Sequence, residues 1–265
     1  MTRRQAAVLV ALAGLAVARV LTDRGGLGDG CRSLAFCIGS AALLIALVGT
    51  AGTALRALWL GCAARRGVAA LTVLPAPGRL AAASREAGID GRLVCVAGSG
   101  RVAFCAGVLR PRVYVTAVLA ASPADELAAV LVHEARHLQR RDPLRRLLLR
   151  STAEVYFAVP LLRFWHERAI ERSELAADRA AIARVGPGAL ARALFATESL
   201  PGLGGVPAFF AGVAEARVAQ LLGDRVPPRR PTIAVVAGSL AGLILAVYAV
   251  MCSGVLPPLP FLSLS

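Results

Sequence analysis

The stretch His133-Glu134-Ala135-Arg136-His137 decides how the rest of this chain is interpreted. It lies within the apolar-periodic segment from Asp125 to Gln139, which predicts a helix. Two histidines four positions apart share one helix face, so a single zinc ion can bind both imidazoles, with Glu134 beside an open coordination position. The chain has only 3 histidines, so its composition yields this pattern by chance in about one chain in a thousand. The alternative is a surface helix that carries these side chains without a metal.

A catalytic zinc ion needs three protein ligands and one exchangeable water, so a third ligand must lie elsewhere. Pro143 stands where the pattern H-E-x-x-H-x-x-G-x-x-H has its third histidine, which excludes that arrangement. His166 is one candidate, although it lies at no recognised spacing. Glu174 is the better candidate, because the segment from Glu171 to Arg179 is rich in Ala, Leu, Glu and Arg and predicts a helix.

Glu174 and Asp178 are four positions apart and therefore share a helix face. The carboxylate of Glu174 can bind zinc, and Asp178 can accept the second ring N–H of a ligand histidine and so fix its tautomer. The alternative is an exposed acidic face flanked by arginines. Spacing alone leaves both interpretations open.

The order of several segments along the chain points to a family. The segments are Leu109 to Thr116, Asp125 to Leu127, the H-E-x-x-H stretch, Arg140 to Pro143, and Glu174 to Asp178. This series resembles the membrane-embedded zinc metallopeptidases of the BlaR/MecR antirepressor type and, more distantly, the HtpX and CAAX-prenyl proteases. The resemblance covers about Gly67 to Arg184. It implies that Glu174 is the third zinc ligand and that Asp178 supports a ligand histidine.

The resemblance also implies a fold and an activity. The fold is α+β and mainly helical, a zincin-like metallopeptidase domain of the gluzincin type with a small sheet, embedded between transmembrane helices. The activity is cleavage of a protein by water activated on one zinc ion, with Glu134 as general base and then as proton donor to the leaving amine. Tyr156, His166 and Arg172 are candidates for an oxyanion donor, although each is better explained as structural.

In that family an edge strand before the zinc helix holds the substrate by backbone pairing. The residues at the matching place are Ala103, Phe104, Cys105, Ala106 and Gly107. An ordinary hairpin that packs against the core is an equal alternative.

The composition is that of a membrane protein, with 57% hydrophobic residues and a mean hydropathy of +0.66. Three segments could span a membrane: 5–21, 34–60 and 232–256. A span needs about 20 apolar residues, which the second and third have and the first only approaches. The first is short, and Arg3 and Arg4 before it also fit a cleaved signal peptide. The resemblance, which includes paired N-terminal membrane helices, favours its retention.

These spans predict three parts: an N-terminal membrane hairpin (1–60), a zinc metallopeptidase domain (61–224), and a linker with a C-terminal anchor (225–265). The arginine distribution predicts a multi-pass plasma-membrane protein whose protease domain is cytoplasmic. The apolar stretch from Ser151 to Trp165 tests this topology, because if it crossed the bilayer Glu174 would lie opposite His133. We therefore expect a buried core helix or a re-entrant segment packed on the protease domain.

The formal net charge of +14 has a membrane explanation. Arginines and leucines alternate between Arg140 and Arg150, which suits an anionic lipid surface, and no nucleic-acid-binding motif accompanies them. The 6 cysteines contain no C-x-x-C pair and predict free thiols. The expected partners are therefore a protein substrate and the lipid bilayer.

Local patterns in the middle domain predict its strands and helices. The predicted strands are Val68 to Leu74, Leu93 to Val96 and Arg101 to Val115. The predicted helices are Ala82 to Ala87, Ala124 to Arg140, Leu144 to Ala158, His166 to Val185, Ala189 to Ser199 and Ala208 to Leu222.

Three functions fit these patterns. The first is an endopeptidase that cleaves a cytoplasmic protein, such as a transcriptional repressor. The second is quality-control proteolysis of membrane proteins, as in the HtpX class, and the third is a non-catalytic membrane signalling scaffold. The sensing receptors of the family carry a penicillin-binding domain after their last span, whereas only Cys252 to Ser265 follow here, so we expect no β-lactam sensing by that route.

Overall fold

The computed structural model describes residues 29–196 and 207–252. The predicted span at 5–21 lies outside these residues. Helices make up most of the described chain: α1 (Asp29–Ala69), α2 (Gly78–Glu86), α3 (Ala117–Ala120), α4 (Ala124–Arg140), α5 (Asp142–Val155), α6 (Pro160–Val185), α7 (Pro187–Ala196), α8 (Pro207–Leu221) and α9 (Ile233–Cys252). The strands are β1 (Val73–Leu74), β2 (Leu93–Val96), β3 (Ala103–Ala106) and β4 (Arg112–Thr116).

The mainly helical α+β class with a small sheet is confirmed. The predicted bounds of α4 and β2 match the structure at both ends. The predicted strand from Val68 to Leu74 was wrong over most of its length, because the helical turn persists through the arginines at 65 and 66 and α1 ends only at Ala69. The predicted strand from Arg101 to Val115 is two strands, β3 and β4. Gly107 lies in their connection with a φ of 110°, a conformation that glycine adopts readily.

The four strands form one sheet in the order β1-β2-β4-β3. The β2–β4 pair is parallel, and the β1–β2 and β3–β4 pairs are antiparallel. Strand β3 therefore lies at one edge of the sheet and pairs with a single neighbour.

Helix α4 is held against this sheet by its apolar face. Leu127, Leu131, Ala135 and Leu138 recur at helical spacing and belong to one buried core. The sheet supplies Cys95, Val113 and Val115 to the same core. Because this face of α4 is fixed on the sheet, the histidines project from a different side of the helix.

Two helices of the described chain, spanning Cys37–Ala69 and Ile233–Cys252, are long and apolar enough to cross a membrane. The chain divides into two compact units. Within the described residues, the first contains 29–57, 149–166 and 230–252, and the second contains 58–148, 167–196 and 207–229. The second unit contains the sheet and helix α4.

Candidate metal centre

Helices α4 and α6 contribute residues to one buried cluster. Ala129 of α4 and Ala181 of α6 are both fully buried in one cluster. One turn further along α4 comes His133, and one turn back along α6 comes Asp178. The residues one turn from these alanines are in direct contact, since His133 Nδ1 lies 2.9 Å from Asp178 Oδ1.

The imidazoles of His133 and His137 and the carboxylate of Glu174 converge on one point. The two Nε2 atoms are 3.0 Å apart. Glu174 places Oε2 3.4 Å from the His133 Nε2 and Oε1 3.5 Å from the His137 Nε2. Ligand atoms about 2.0 to 2.2 Å from a tetrahedral zinc ion lie about 3.3 to 3.5 Å from one another. All three residues are buried, and the spacing of their donor atoms fits one metal ion.

His133 is oriented by Asp178. Its Nδ1 lies 2.9 Å from Oδ1 of this fully buried carboxylate, which leaves Nε2 to face His137 and Glu174. Burial lowers the pKa of His133, but the adjacent Asp178 and Glu174 carboxylates outweigh it and raise that pKa to about 9. Without a metal the histidine is therefore charged, and a metal ion would take the place of its Nε2 proton.

His137 has a different carboxylate partner, Asp142. Its Nδ1 lies 2.8 Å from Asp142 Oδ2, and the hydroxyl of Ser173 donates to the same oxygen. Helix α4 ends at Arg141, which has a φ of 53°, so the chain turns sharply and brings Asp142 back toward the histidine one turn earlier. Both histidines thus have a buried acidic partner on the nitrogen that faces away from the proposed metal.

Two arginines surround the acidic side of the site. Arg146 places a guanidinium nitrogen 2.5 Å from Glu174 Oε1. Arg217 of α8 binds Asp178 through two nitrogens, at 2.6 and 2.8 Å, and lies 3.5 Å from Glu174 Oε2. Burial raises the pKa of Glu174, but His133, His137 and Arg146 outweigh it and hold that pKa well below the usual range, so the ligand is ionised.

Sequence reasoning found the three candidate ligands and Asp178 but missed Asp142 and Arg217. Asp142 lies two residues after the end of α4, so a search for acidic residues just after this helix would have found it. Arg217 had no sequence signal, since it is one arginine among many and lies 39 positions from Asp178.

Replacing Arg217 by Gln should weaken metal binding without touching a ligand. The change removes the two hydrogen bonds from Arg217 to Asp178, whose buried charge then keeps only His133 as a partner. Breaking a buried ion pair of this kind costs about 3 to 5 kcal/mol of stability. Loss of the support behind His133 should lower metal affinity by about 10- to 100-fold. Chelator competition measures the affinity and thermal unfolding the stability.

The matched control for that variant is Arg179→Gln, which removes an exposed arginine next to Asp178. We expect Arg179→Gln to leave the metal affinity and the thermal stability unchanged. The metal affinity of Arg217→Lys should lie between that of wild type and that of Arg217→Gln. Equal metal affinity in wild type and Arg217→Gln would show that Arg217 has no positioning role.

The predicted substrate strand forms the sheet edge beside α4. The backbone N–H of Thr116 donates to the carbonyl of Val102, just before β3, so the alternate residues Ala103 and Cys105 point their backbone N–H and C=O groups to the open edge. The Cys105 side chain packs against the core. Burial, and next the Glu134 charge, raise the pKa of this thiol to about 12, so it stays protonated.

Several other candidates do not join the cluster. Gly107 lies after β3 ends. Tyr156 and His166 belong to the first compact unit, and Arg172 is exposed on α6. Glu134 is buried one position after His133, on the same helix. Its charge contributes to the raised pKa of both His133 and Cys105.

Among known protein families, one family model matches this chain. The family model described as BlaR1 peptidase M56 matches residues 32–198, which include all three candidate ligands. No curated protein matches the chain, and no solved structure matches it.

Proposed function

The chain belongs to the BlaR1 peptidase M56 family, and from that premise we propose that it is an integral-membrane zinc endopeptidase that cleaves a cytoplasmic protein. The family supports a membrane metallopeptidase, and the two apolar helices support a membrane location. The observation that carries the proposal is the triangle formed by His133 Nε2, His137 Nε2 and the Glu174 carboxylate. The two Nε2 atoms lie 3.0 Å apart, Glu174 Oε2 lies 3.4 Å from His133 Nε2, and Glu174 Oε1 lies 3.5 Å from His137 Nε2.

Zinc is the metal that this donor set favours. Two neutral imidazoles and one carboxylate, each supported by a further hydrogen-bonding partner, are typical ligands of a catalytic zinc with one open position. A bound zinc ion would lower the pKa of water and polarise the carbonyl of the peptide to be cut.

The protein's own groups supply the remaining chemistry. In the proposal, Glu134 accepts a proton from the attacking water and passes it to the amine that leaves. Asp178 and Asp142 keep the Nε2 atoms of the two histidines directed at the metal. Arg146 and Arg217 compensate the charge of Glu174, so that the ligand stays ionised inside the protein.

The open edge of β3 supports binding of an extended substrate. An incoming peptide can pair with the outward backbone groups of Ala103 and Cys105 and extend the sheet by one strand. This strand lies beside α4, whose core residues it contacts. The pairing would recognise backbone, so a broad range of side chains is expected along this part of the substrate.

Replacing Cys105 by Pro should raise the KM for a protein substrate while metal content stays at the wild-type level. Proline removes the N–H of Cys105, which faces the open edge and has no partner strand, and edge positions of this kind tolerate proline. Losing one backbone hydrogen bond to substrate should raise KM by about 2- to 10-fold, for a net contribution of about 0.5 to 1.5 kcal/mol.

Two further variants separate the loss of the Cys105 N–H from loss of the thiol and from damage to the sheet. Cys105→Ala removes the thiol and keeps the N–H, so its KM should match that of wild type. Phe104→Pro removes a group that points toward β4 and should lower the melting temperature instead. A Cys105→Pro enzyme with unchanged KM would exclude backbone pairing at this position.

The identity of the substrate is tested in cells. N-terminal proteomics of wild-type and Glu134→Gln strains should show one soluble protein that is stabilised in the variant and whose cleaved N-terminus disappears. A DNA-binding repressor as that protein supports the antirepressor form of the proposal, whereas accumulation of many membrane proteins indicates HtpX-like quality control. No difference between the strains would favour the non-catalytic scaffold.

A further inference from the structure

The apolar segment at 149–166 is grouped with the candidate membrane helices in the first compact unit. It consists of the end of α5, a four-residue connection at 156–159, and the start of α6. The chain enters this unit after Leu148 and leaves it at Glu167. The segment is therefore a helical hairpin with two arms. Its contacts with α1 and α9 show in which direction each arm runs.

The contacts with α1 give the direction of the first arm. Glu154 forms an ion pair of 2.6 Å with Arg56, Val155 lies against Gly52, and Tyr156 lies against Gly49. From residue 154 to residue 156 of the hairpin, the partner in α1 moves from residue 56 back to residue 49. The first arm thus runs antiparallel to α1, away from the end at which α1 joins the second unit.

The contacts with α9 give the direction of the second arm. The carbonyl of Ala158 lies against Gly242, and the N–H of Leu161 donates to Ser239 Oγ at 2.9 Å. The second arm therefore runs back toward the start of α9, which is the end that follows the second unit along the chain. The segment enters and leaves on one side.

Helix lengths give the depth of the tip. Helix α9 has 20 residues, or about 30 Å at 1.5 Å per residue, which equals the hydrocarbon thickness of a bilayer. Gly242 is nine residues from its first residue, Ile233, which is about 14 Å. Gly49 lies in the middle third of the apolar span Cys37–Ala69, which has 33 residues. The tip lies near the middle of both spans.

Two glycines are required for this fit. A Cβ at Gly49 would lie 2.1 Å from the Tyr156 hydroxyl, and a Cβ at Gly242 would lie 1.7 Å from the Ala158 carbonyl oxygen. Small residues allow such close backbone approach in membranes. The break in the helix also leaves few polar backbone groups exposed, because Pro160 has no N–H, Leu161 donates to Ser239, and Val159 donates to the Tyr156 carbonyl at 2.8 Å.

We propose that residues 149–166 form a re-entrant hairpin that reaches the middle of the bilayer and returns to the face from which it entered. Phe157 lies at the tip between the two packed residues and is 83% exposed, so its partner in this proposal is the acyl chains of the lipid. Glu154 is compensated by Arg56 and by Arg150, at 2.6 and 2.8 Å, as charges inside a membrane require. The hairpin explains how an apolar segment can separate His137 from Glu174 without carrying them to opposite sides of the membrane.

Depth-dependent fluorescence quenching tests the hairpin in the full-length protein. The variant carries Phe157→Trp, with Trp59 and Trp165 replaced by Phe, in phosphatidylcholine vesicles brominated either near the headgroups or near the ends of the acyl chains. We expect stronger quenching by the deep bromines and no quenching by aqueous iodide. The matched control, Glu86→Trp in the same background, is exposed on α2 and should show the reverse.

Three results would overturn the proposal. They are quenching of position 157 by iodide, stronger quenching by the shallow bromines, and no quenching by either lipid. A variant retaining Trp165 alone checks that the protein is inserted, since this residue lies near the start of α6 and should be quenched more by the shallow than by the deep bromines. Neither measurement depends on zinc or on peptidase activity.

Discussion

Replacing Glu134 by Gln should abolish proteolysis while leaving the metal bound. Glu134 is buried beside His133 but contributes no atom to the triangle of donor atoms. Glutamine has nearly the same shape and cannot accept the proton of water, so the loss of general-base catalysis should lower kcat by about 100- to 10,000-fold. Zinc content, measured by mass spectrometry of the purified full-length protein, should remain at the wild-type level.

The matched control for this variant is Glu86→Gln, the same substitution at an exposed position of α2. It should cleave at the wild-type rate. If Glu134→Gln kept wild-type kcat, the general base would have to be another residue. If it lost both zinc and activity, Glu134 would be a ligand and the mechanism would be wrong.

Replacing Glu174 by Ala should remove the metal itself. The change deletes one corner of the triangle and leaves Arg146 and Arg217 without the carboxylate they compensate. Loss of a direct ligand should weaken zinc binding by more than the factor of about 10 to 100 that loss of a supporting partner causes. Zinc at 100 times its Kd stabilises the wild-type fold by about 2.7 kcal/mol, and the variant should not gain this at the same concentration.

The control for this variant is Glu215→Ala, which removes an exposed carboxylate from α8. Its thermal unfolding should shift with zinc as in wild type. A zinc-dependent shift of equal size in Glu174→Ala would mean that the carboxylate is not a ligand. His137→Ala should behave like Glu174→Ala, because both belong to the same set of donors.

The candidate site could be predicted largely because its ligands follow local periodicity. Positions 133 and 137, and positions 174 and 178, are each one helical turn apart, so each pair was visible before the fold was known. The partnership between the two pairs depends on how α4 and α6 meet in the fold, and no spacing along the chain shows this. The family resemblance supplied that link.

The parts that could not be predicted depend on long-range geometry. Arg217 reaches Asp178 only because α8 packs beside α6, and no spacing along the chain shows this. The open edge of β3 follows from the strand order, in which β4 lies between β2 and β3. The predicted strand at Val68–Leu74 failed because propensity at a helix end is weak, so the boundary of α1 could not be located from local residues.

Zinc K-edge X-ray absorption on the purified full-length protein tests the central claim most directly. The account predicts one zinc ion per chain, with two imidazole nitrogens and oxygen ligands at about 2.0 to 2.2 Å and no sulfur, and it predicts that this signal is lost in Glu174→Ala. A spectrum with sulfur ligands, or a metal environment that is the same in wild type and Glu174→Ala, would contradict it.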